Sequence, residues 1–295
     1  MGGGLIFMSW RTETALEQLS AQLPRLSEQK RKAAVFALEH PERFGPASVR
    51  EVAAEAGVSP NTYIRLSQSL GFPSFKAFKA ALAQVGFRPR EQARDLQARS
   101  AAGQLAGLDG EVLAAAQTNL QALANHAQSQ ALEAAAKTIN QATKVYVLGV
   151  GIANAVAHNF AYLGAMALDN VVALPRDGSE PVDGLVRAGK GDALIAMTFK
   201  PYRREVVEAV EAAAEQGVEI IAISDSPAAP HFTTAKHRFE VPVSGPQFFT
   251  STVALTAFLE TLMAFVIADA PAKAVQDIDR FHERRHRLGI YVEEG

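Results

Sequence analysis

Cysteine is absent from the 295 residues of the chain. Its absence excludes disulfide bonds, thiol nucleophiles and thiolate metal sites, and it fits a reducing compartment, so we expect the chain in the cytoplasm. The seven histidines lack the spacing of a metal-binding H-E-x-x-H motif, so we predict neither a metal nor another cofactor. A Gly-x-Ser-x-Gly elbow is also missing, which excludes the commonest hydrolase pattern.

Long hydrophobic runs are equally scarce. The longest apolar segment, Val253 to Ala268, is shorter than the about 20 residues that span a bilayer, and Glu260 interrupts it. We therefore predict a buried helix there and no membrane span. The first residues have neither a basic start nor a long apolar core, so we do not expect a secretory signal.

The net charge of the whole chain is only −2, but it is unevenly distributed. Residues 1–90 hold 12 Lys and Arg against 7 Asp and Glu, which gives +5, whereas residues 91–295 hold 17 against 24, which gives −7. The length predicts about two domains at roughly 150 residues each. The first of them therefore carries the positive charge that attracts nucleic-acid phosphates.

The run from Ser48 to Gly71 has the pattern of a helix-turn-helix. A first helix would place four small or apolar residues on one face: Val49, Val52, Ala53 and Ala56. Gly57 then allows a sharp turn. Ser59 is the predicted N-cap of a second helix, Pro60 its first-turn residue and Gly71 its C-terminal stop.

The second helix has two faces of opposite character. Tyr63, Leu66 and Leu70 recur at helical spacing and are predicted to face the core. The open face is what a recognition helix offers a DNA major groove. Together with the cap and a basic run on the preceding helix, the predicted DNA-binding residues are Ser59, Asn61, Thr62, Arg65, Gln68 and Lys30.

After the helical domain, which we assign to residues 11–85, the pattern changes twice. Residues 86–110 are rich in Gly, Ala, Gln and Arg without an apolar period and are predicted to be an interdomain linker. A helical pattern over 112–140 leads into five short apolar runs: 144–148, 170–174, 192–197, 218–223 and 238–243. Helical stretches follow the first, third and fifth of these runs, over 152–168, 203–216 and 247–268.

Apolar strands separated by helices indicate a parallel sheet with helices on both faces. The predicted fold class is an all-α N-terminal domain plus an α/β C-terminal domain over 111–270, with three αβα layers and a mainly parallel five-stranded sheet. Residues 271–295 are predicted to form a C-terminal helix and tail. The basic residues of this helix are interpreted as a solvated face, with a second DNA contact as the alternative.

In an open parallel sheet, ligands bind beyond the carboxyl ends of the strands, where helix N-termini present free amides. Hydroxyls, amides and cations meeting at that edge would suit a phosphate or another anion. The predicted effector-binding residues are Gly149, Gly151, Asn154, Thr198, Lys200, Tyr202, Arg203, Ser224, Ser226 and Ser251. A plainer interpretation, in which the glycines only make a turn and the cations are solvated, stays open.

The pair Gly149 and Gly151 also raises the question of a dinucleotide site. The third glycine of that fingerprint is missing, because position 154 is Asn154. An isolated G-x-G is a weak signal. A nicotinamide enzyme is therefore disfavoured.

Several fixed spacings resemble the RpiR family of bacterial transcription regulators. They lie in Glu39-His-Pro-Glu42, Ser48-Val-Arg-Glu-Val-Ala53, Gly57-Val-Ser59, Thr62, Arg65 and Leu70-Gly-Phe72. The second half resembles the sugar isomerase (SIS) domain of that family, so that the resemblance covers about Leu16 to Leu288. It implies a regulator that binds operator DNA and senses a phosphorylated sugar or related anionic metabolite, without catalysis.

The sequence departs from the SIS pattern at two loops. SIS domains usually have Gly-x-Gly-x-Ser after the first strand, but Ala153 stands in place of the serine. The loop after the third strand is basic rather than rich in hydroxyls, with Lys200, Arg203 and Arg204. These changes favour charge over hydroxyls in recognition, and they admit a carboxylate or a differently placed phosphate as effector.

Two other functions stay open on sequence grounds. A sugar-phosphate isomerase with an added helical domain needs a general base, and the candidates Glu205, His231 and Glu180 have no distinguishing spacing. A helix-turn-helix that binds protein is the third hypothesis. For the regulator we expect a homodimer or homotetramer, because two-fold operators need two recognition helices about 34 Å apart. The apolar faces of 112–140 and 253–268 are the predicted interfaces.

Overall fold

A computed structural model describes residues 15–44, 47–83, 89–125, 128–176, 178–227 and 229–292. The chain forms two compact units that divide between Arg88 and Pro89. This division falls a few residues after the boundary expected at residue 85. Each unit has its own core, as two independent domains require.

The described part of the N-terminal unit is helical throughout, which confirms the predicted all-α class. Its helices are α1 (Ala15–Gln22), α2 (Glu28–Glu39), α3 (Val49–Glu55), α4 (Pro60–Ser69) and α5 (Phe75–Ala83). Aromatic rings fill the centre of the core. Phe44 is fully buried, and its ring centroid lies 5.5 Å from that of Tyr63 and 6.1 Å from that of Phe78. Such residues each contribute about 1.5–3 kcal/mol when buried, so this cluster fixes how α4 sits on the other helices.

A helix, rather than an irregular linker, follows the division between the units. α6 (Pro89–Ala101) occupies much of the stretch predicted as a linker over 86–110. Its sequence lacks an apolar period, and polar side chains hold it to the rest of the unit. Arg99 forms a two-pronged ion pair with Glu111 (2.9 and 2.7 Å), and Gln92 donates to the carbonyl of Gly245.

The rest of the second unit alternates strands and helices after two further helices. The helical pattern over 112–140 forms α7 (Leu108–Asn125) and α8 (Ser129–Gln141). The strands are β1 (Val145–Gly149), β2 (Val171–Leu174), β3 (Ala193–Met197), β4 (Glu219–Ser224) and β5 (His237–Glu240). The remaining helices are α9 (Ile152–Gly164), α10 (Arg204–Glu215), α11 (Val253–Asp269) and α12 (Ala272–Arg287).

The five strands form one parallel sheet in the order β2-β1-β3-β4-β5. Val145 of β1 lies opposite Val171 of β2 and Ala193 of β3. Every residue of β1 and β3 is buried, because these central strands are covered on both faces. The predicted α/β class and five-stranded sheet are confirmed.

Helices cover the sheet in three layers. On one face, Val147 and Ile195 belong to an apolar core that includes residues of α8, α9 and α11. On the other face, Leu148 and Leu194 pack in a core with α10. α9 and α10 therefore leave the sheet on opposite faces from the neighbouring strands β1 and β3, which is the topological switch point where ligands bind in open parallel sheets.

The last predicted helical stretch, 247–268, is shorter than expected at its start. α11 begins at Val253, and residues 241–252 have no regular structure although the backbone N–H of Ser251 donates to the carbonyl of Val243 (3.0 Å). α12 confirms the predicted C-terminal helix, and nearly all of it is exposed or half-buried. In the part of the chain that the structure describes, no single helix is long and apolar enough to cross a membrane. α11 and α12 meet the length and composition criteria only as a pair, bent by 117°.

Candidate nucleic-acid interface and effector site

The ends of α3 and α4 are fixed by local hydrogen bonds. The backbone N–H of Glu51 donates to Ser48 Oγ (3.4 Å), and the N–H of Ser48 donates to Glu51 Oε2 (2.6 Å), which is a capping box. These bonds from Ser48 lower the pKa of Glu51. Gly57 has φ of +60°, a conformation that glycine adopts without strain. The turn between the two helices therefore follows from the sequence, as predicted.

Helix α4 buries one face and exposes the other. Tyr63 and Leu66 are fully buried, and the Tyr63 hydroxyl donates to the carbonyl of Ala33 on α2 (3.1 Å). Arg65 and Gln68 lie on the exposed face, as does Asn61 one turn earlier. The three polar side chains at i, i+4 and i+7 are thus available to solvent on this unit, as a recognition helix requires.

The other predicted DNA-binding residues have more local surroundings. The Ser59 hydroxyl accepts the backbone N–H of Thr62 (3.3 Å) and lies 2.9 Å from Thr62 Oγ1, so both take part in the helix cap. Lys30 is half-buried on α2. Lys32, two residues further on, donates to the carbonyl of Gly57 (3.4 Å) and so supports the turn. Sequence reasoning did not single out that contact.

The predicted effector residues of β1 and α9 lie at the switch point. An added Cβ at Gly149 would stand 2.4 Å from the carbonyl oxygen of Ala153, so only glycine allows α9 to start this close to β1. Gly151 precedes α9 with φ of +63°. Asn154 donates to the carbonyl of Gly149 (3.3 Å), so its amide stabilises the turn that positions the helix N-terminus.

The loops after β3 and β4 are joined by hydrogen bonds. Gly149 of β1 pairs with Met197 of β3, which pairs with Ile223 of β4, so the residues after these positions share one edge of the sheet. There Thr198 Oγ1 accepts the N–H of Arg203 (3.1 Å). The Ser224 hydroxyl donates to the carbonyl of Thr198 (2.8 Å). Both hydroxyls are buried and are used within the fold.

The remaining hydroxyls of this edge, on Ser226 and Ser251, belong to buried residues as well. Tyr202 is half-buried in the loop that leads to α10. The cations are more accessible. Arg203 and Arg204 are exposed, and Lys200 is half-buried.

An acidic residue that the sequence did not single out lies among these cations. Asp225 Oδ1 accepts the backbone N–H of Lys200 (3.4 Å) and the hydroxyl of Ser224 (3.3 Å). Burial raises the pKa of Asp225, and the positive charge of Lys200 acts against that rise. Arg203 pairs with Glu205 at 2.6 Å. The edge therefore holds cations together with internal carboxylates that partly neutralise them.

Exposed apolar residues are a second feature of this edge that sequence reasoning missed. Ile152 begins α9 and Val253 begins α11, and both are exposed. Phe248 and Phe249 are half-exposed in the segment before α11, with ring centroids 5.1 Å apart. Their placement could not be found from periodicity because the segment has no regular structure. Within the described ranges, no group of three or more His, Asp or Glu residues could hold a metal ion.

Each of the two units matches a known protein family. The helix-turn-helix domain of the rpiR family matches residues 13–86, and the SIS domain matches residues 138–268. The chain belongs to the rpiR family of transcription regulators, and its second unit is a SIS domain. It is 25% identical over 221 residues to the HTH-type transcriptional regulator HexR of Escherichia coli, an alignment that covers 72% of each chain.

Two solved structures are similar to this family member. The sugar isomerase domain of an RpiR transcription factor from Sphaerobacter thermophilus is 28% identical with a TM-score of 0.56, covering 60% of this chain and 99% of that one. The Vibrio vulnificus NanR protein, complexed with ManNAc-6P, has a TM-score of 0.59 and covers 93% of this chain and 98% of its own. At 19% identity, the similarity to NanR shows the fold alone.

Proposed function

We propose that this rpiR-family regulator binds operator DNA through α4 and senses an anionic metabolite, of the phosphorylated-sugar type or a related acid, at the carboxyl edge of its sheet. The observation that carries the proposal is the convergence of α9, α10 and α11 on that edge. α9 and α10 directly follow β1 and β3, so they begin at the carboxyl ends of these strands. α8 ends just before β1 begins, and Asn140 near its end donates to the carbonyl of Val266 near the end of α11 (2.9 Å). The end of α11 therefore lies near the amino ends of the strands, and its start lies toward their carboxyl ends. All three helices therefore present their N-termini there.

Helix N-termini attract anions, because their first amides lack partners within the helix and the helix dipole is positive there. Lys200, Arg203 and Arg204 add positive charge beside the start of α10. The hydroxyls of Thr198 and Ser224 are used internally, so charge and backbone amides are left as the main means of anion recognition. A phosphate or carboxylate suits both.

NanR, which has the same fold, is complexed with ManNAc-6P. That ligand is a phosphorylated sugar, and its phosphate is the kind of anion that the cations and helix N-termini at this edge would attract. The exposed Phe248 and Val253 would accommodate an apolar substituent on such an anion. The identity of the sugar stays part of the proposal.

We propose sensing rather than catalysis, because none of the general-base candidates is prepared for proton abstraction. His231 is fully buried, and burial lowers its pKa to about 4. The pKa of Glu205 is lowered by a hydrogen bond from its own amide and by Arg203. Glu180 is exposed and precedes a short 3-10 helix. A base that works near neutral pH needs a pKa closer to 7.

The decisive experiment is a thermal-shift screen of sugar phosphates and sugar acids, followed by DNA titrations with each stabilising compound. A ligand at a hundred times its Kd stabilises a protein by about 2.7 kcal/mol, which a Tm readily shows. We expect at least one compound to raise Tm and to change DNA affinity. Turnover of a stabilising compound, detected by product analysis, would instead support the isomerase.

We further propose that the regulator acts as a homodimer or homotetramer. α7 exposes Val112, Leu113 and Leu120 on its outer side, with Leu113 68% exposed. α11 buries most of its large apolar residues within the SIS unit, so of the two predicted interfaces α7 keeps the apolar face that a second copy could cover. Light scattering at micromolar concentration tests this, and a monomer under those conditions would contradict it.

A further inference from the structure

One irregular segment forms part of the edge where we place the effector. Residues 241–252 run from β5 to α11, and the backbone N–H of Val241 donates to the carbonyl of Ser224 at the end of β4 (2.8 Å). At the other end of the segment, the N–H of Ser251 donates to the carbonyl of Val243. An effector that contacts this edge therefore acts directly on the segment, which we call the rim segment.

The rim segment is held by side chains from α6 and α7. Asn119 on α7 is only 3% exposed, and its amide nitrogen donates to the carbonyl of Ser244 (2.7 Å). Gln92 on α6 donates to the carbonyl of the next residue, Gly245 (3.2 Å). Two consecutive carbonyls of a segment without regular structure thus depend on two helices that lie far earlier in the sequence.

The helix that carries Gln92 is the first element after the DNA-binding unit. The division between the units falls between Arg88 and Pro89, and α6 begins at Pro89. Gln92 therefore lies in the turn of α6 that is joined most directly to the N-terminal unit. The bidentate pair of Arg99 with Glu111 ties the other end of α6 to α7, so the two helices that hold the rim segment also contact each other.

The contacts at Gly245 leave hydrogen bonds unmade. Gln92 Oε1 and Gln247 Oε1 are both buried, and neither has a donor among the described residues. A Cβ at Gly245 would lie 2.3 Å from Gln247 Oε1, which shows how closely this amide packs on the segment. A buried acceptor without a donor is destabilising, because it has lost its hydrogen bonds to water. A rearrangement of the rim segment that brings donors to these two oxygens would therefore be favourable, and such a rearrangement is the two-state element that we infer here.

We propose that Gln92 and Asn119 are positioning residues that couple the effector edge of the SIS unit to the DNA-binding unit through α6. The inference rests on the proposed function, and it specifies the route by which that function is regulated. Coupling is reciprocal, because a ligand that changes DNA affinity must have its own affinity changed by DNA by the same factor. Bound DNA can therefore replace an unidentified effector as the probe.

The experiment is amide hydrogen exchange on the full chain with and without a DNA duplex selected from a random pool for tight binding. In the wild type we expect DNA to change exchange in peptides covering 244–251 and the start of α6, and to leave the peptide of β3 unchanged as an internal reference. In Gln92→Ala, the change at 244–251 should be lost while DNA affinity is kept. Gln97→Ala is the matched control, because Gln97 is exposed on the same helix.

Asn119→Ala is the second variant, and it should also remove the DNA-induced change at 244–251. A wild type that binds the duplex without any change in exchange there would overturn the coupling and leave the DNA-binding function intact. Retention of the full change in both Gln92→Ala and Asn119→Ala would overturn the role of these residues. Failure to select any duplex would contradict DNA binding itself, and the coupling with it.

Discussion

Arg65→Ala gives the sharpest test of α4 as the recognition helix. Arg65 is exposed and makes no hydrogen bond or ion pair with the described residues, so its loss should change folding stability by no more than about 0.5 kcal/mol. A bidentate contact from arginine to a guanine is worth about 1–3 kcal/mol. Because each 1.4 kcal/mol is tenfold, we expect DNA affinity to fall by roughly 5- to 150-fold.

The assay is a gel-shift titration with a selected duplex and with duplexes that carry single base-pair changes. Arg65→Ala should lose affinity for the selected duplex and discriminate less at one base pair. A phosphate contact would instead weaken binding to all duplexes and lower the slope against log salt by about 1. Arg25→Ala is the control, since Arg25 is an exposed arginine outside α3 and α4. Unchanged affinity of Arg65→Ala, at any salt, would refute the assignment.

Three further predictions concern the SIS unit. Gly149→Ala should destabilise it by about 1–3 kcal/mol or more in urea unfolding, because the added Cβ meets the carbonyl of Ala153 at 2.4 Å; equal stability would contradict the close approach. His231→Gln should flatten the pH dependence of stability, because burial lowers the pKa of His231 from 6.5 to about 4. Between these two pH values the unfolded wild type binds a proton that the folded protein does not bind. The free energy of unfolding of the wild type therefore falls by up to about 3 kcal/mol as the pH is lowered from 6.5 to 4. Equal slopes in pH-dependent thermal melts would oppose this. Asp225→Asn should strengthen the binding of inorganic phosphate in calorimetric titrations, because it removes a carboxylate beside Lys200 while an amide oxygen can still accept the same bonds; weaker binding would count against an anion site at Lys200.

The helix-turn-helix was predictable because its determinants are local in sequence. Ser48 and Glu51 form their capping box within one turn, and Gly57 needs only its own φ of +60°. The burial of Tyr63 and Leu66 follows from helical spacing. Each of these signals lies within a few residues of the feature that it controls, so no knowledge of the rest of the fold was needed.

The stretch 86–110 shows where such reasoning fails. α6 is held by Gln92 and Arg99, whose partners are Gly245 and Glu111. Polar contacts to distant residues leave no apolar period, and a segment without one is predicted as a linker. Residues 247–252 were predicted as helix for the opposite reason, because the apolar pattern of α11 continues into Phe248 and Phe249. These residues follow a stretch whose carbonyls, at Ser244 and Gly245, accept from Asn119 and Gln92.

The candidate effector site was predictable in position and only partly in chemistry. Parallel strands end at one edge, so residues after β1, β3 and β4 had to meet there. The order of the strands does not predict which hydrogen-bond partner a hydroxyl at this edge finds. Thr198 Oγ1 accepts the N–H of Arg203 within its own loop, whereas the Ser224 hydroxyl donates to the carbonyl of Thr198, 26 residues earlier in the sequence. Asp225 was missed because a single acid in a loop has no periodic signal.

The class of effector and the identity of the effector depend on different parts of the molecule. In the proposed site, affinity for an anion would arise from the topology, because α9, α10 and α11 start at one edge whatever side chains line it. In the proposed site, selectivity would arise from the side chains at this edge, here Lys200, Asp225 and the exposed Phe248. Substitutions at these three positions should therefore change which anions stabilise the SIS unit, whereas inorganic phosphate should keep measurable affinity in each of them. Loss of all anion binding in Lys200→Ala would show that the helix N-termini contribute little, and the site would then depend on one side chain.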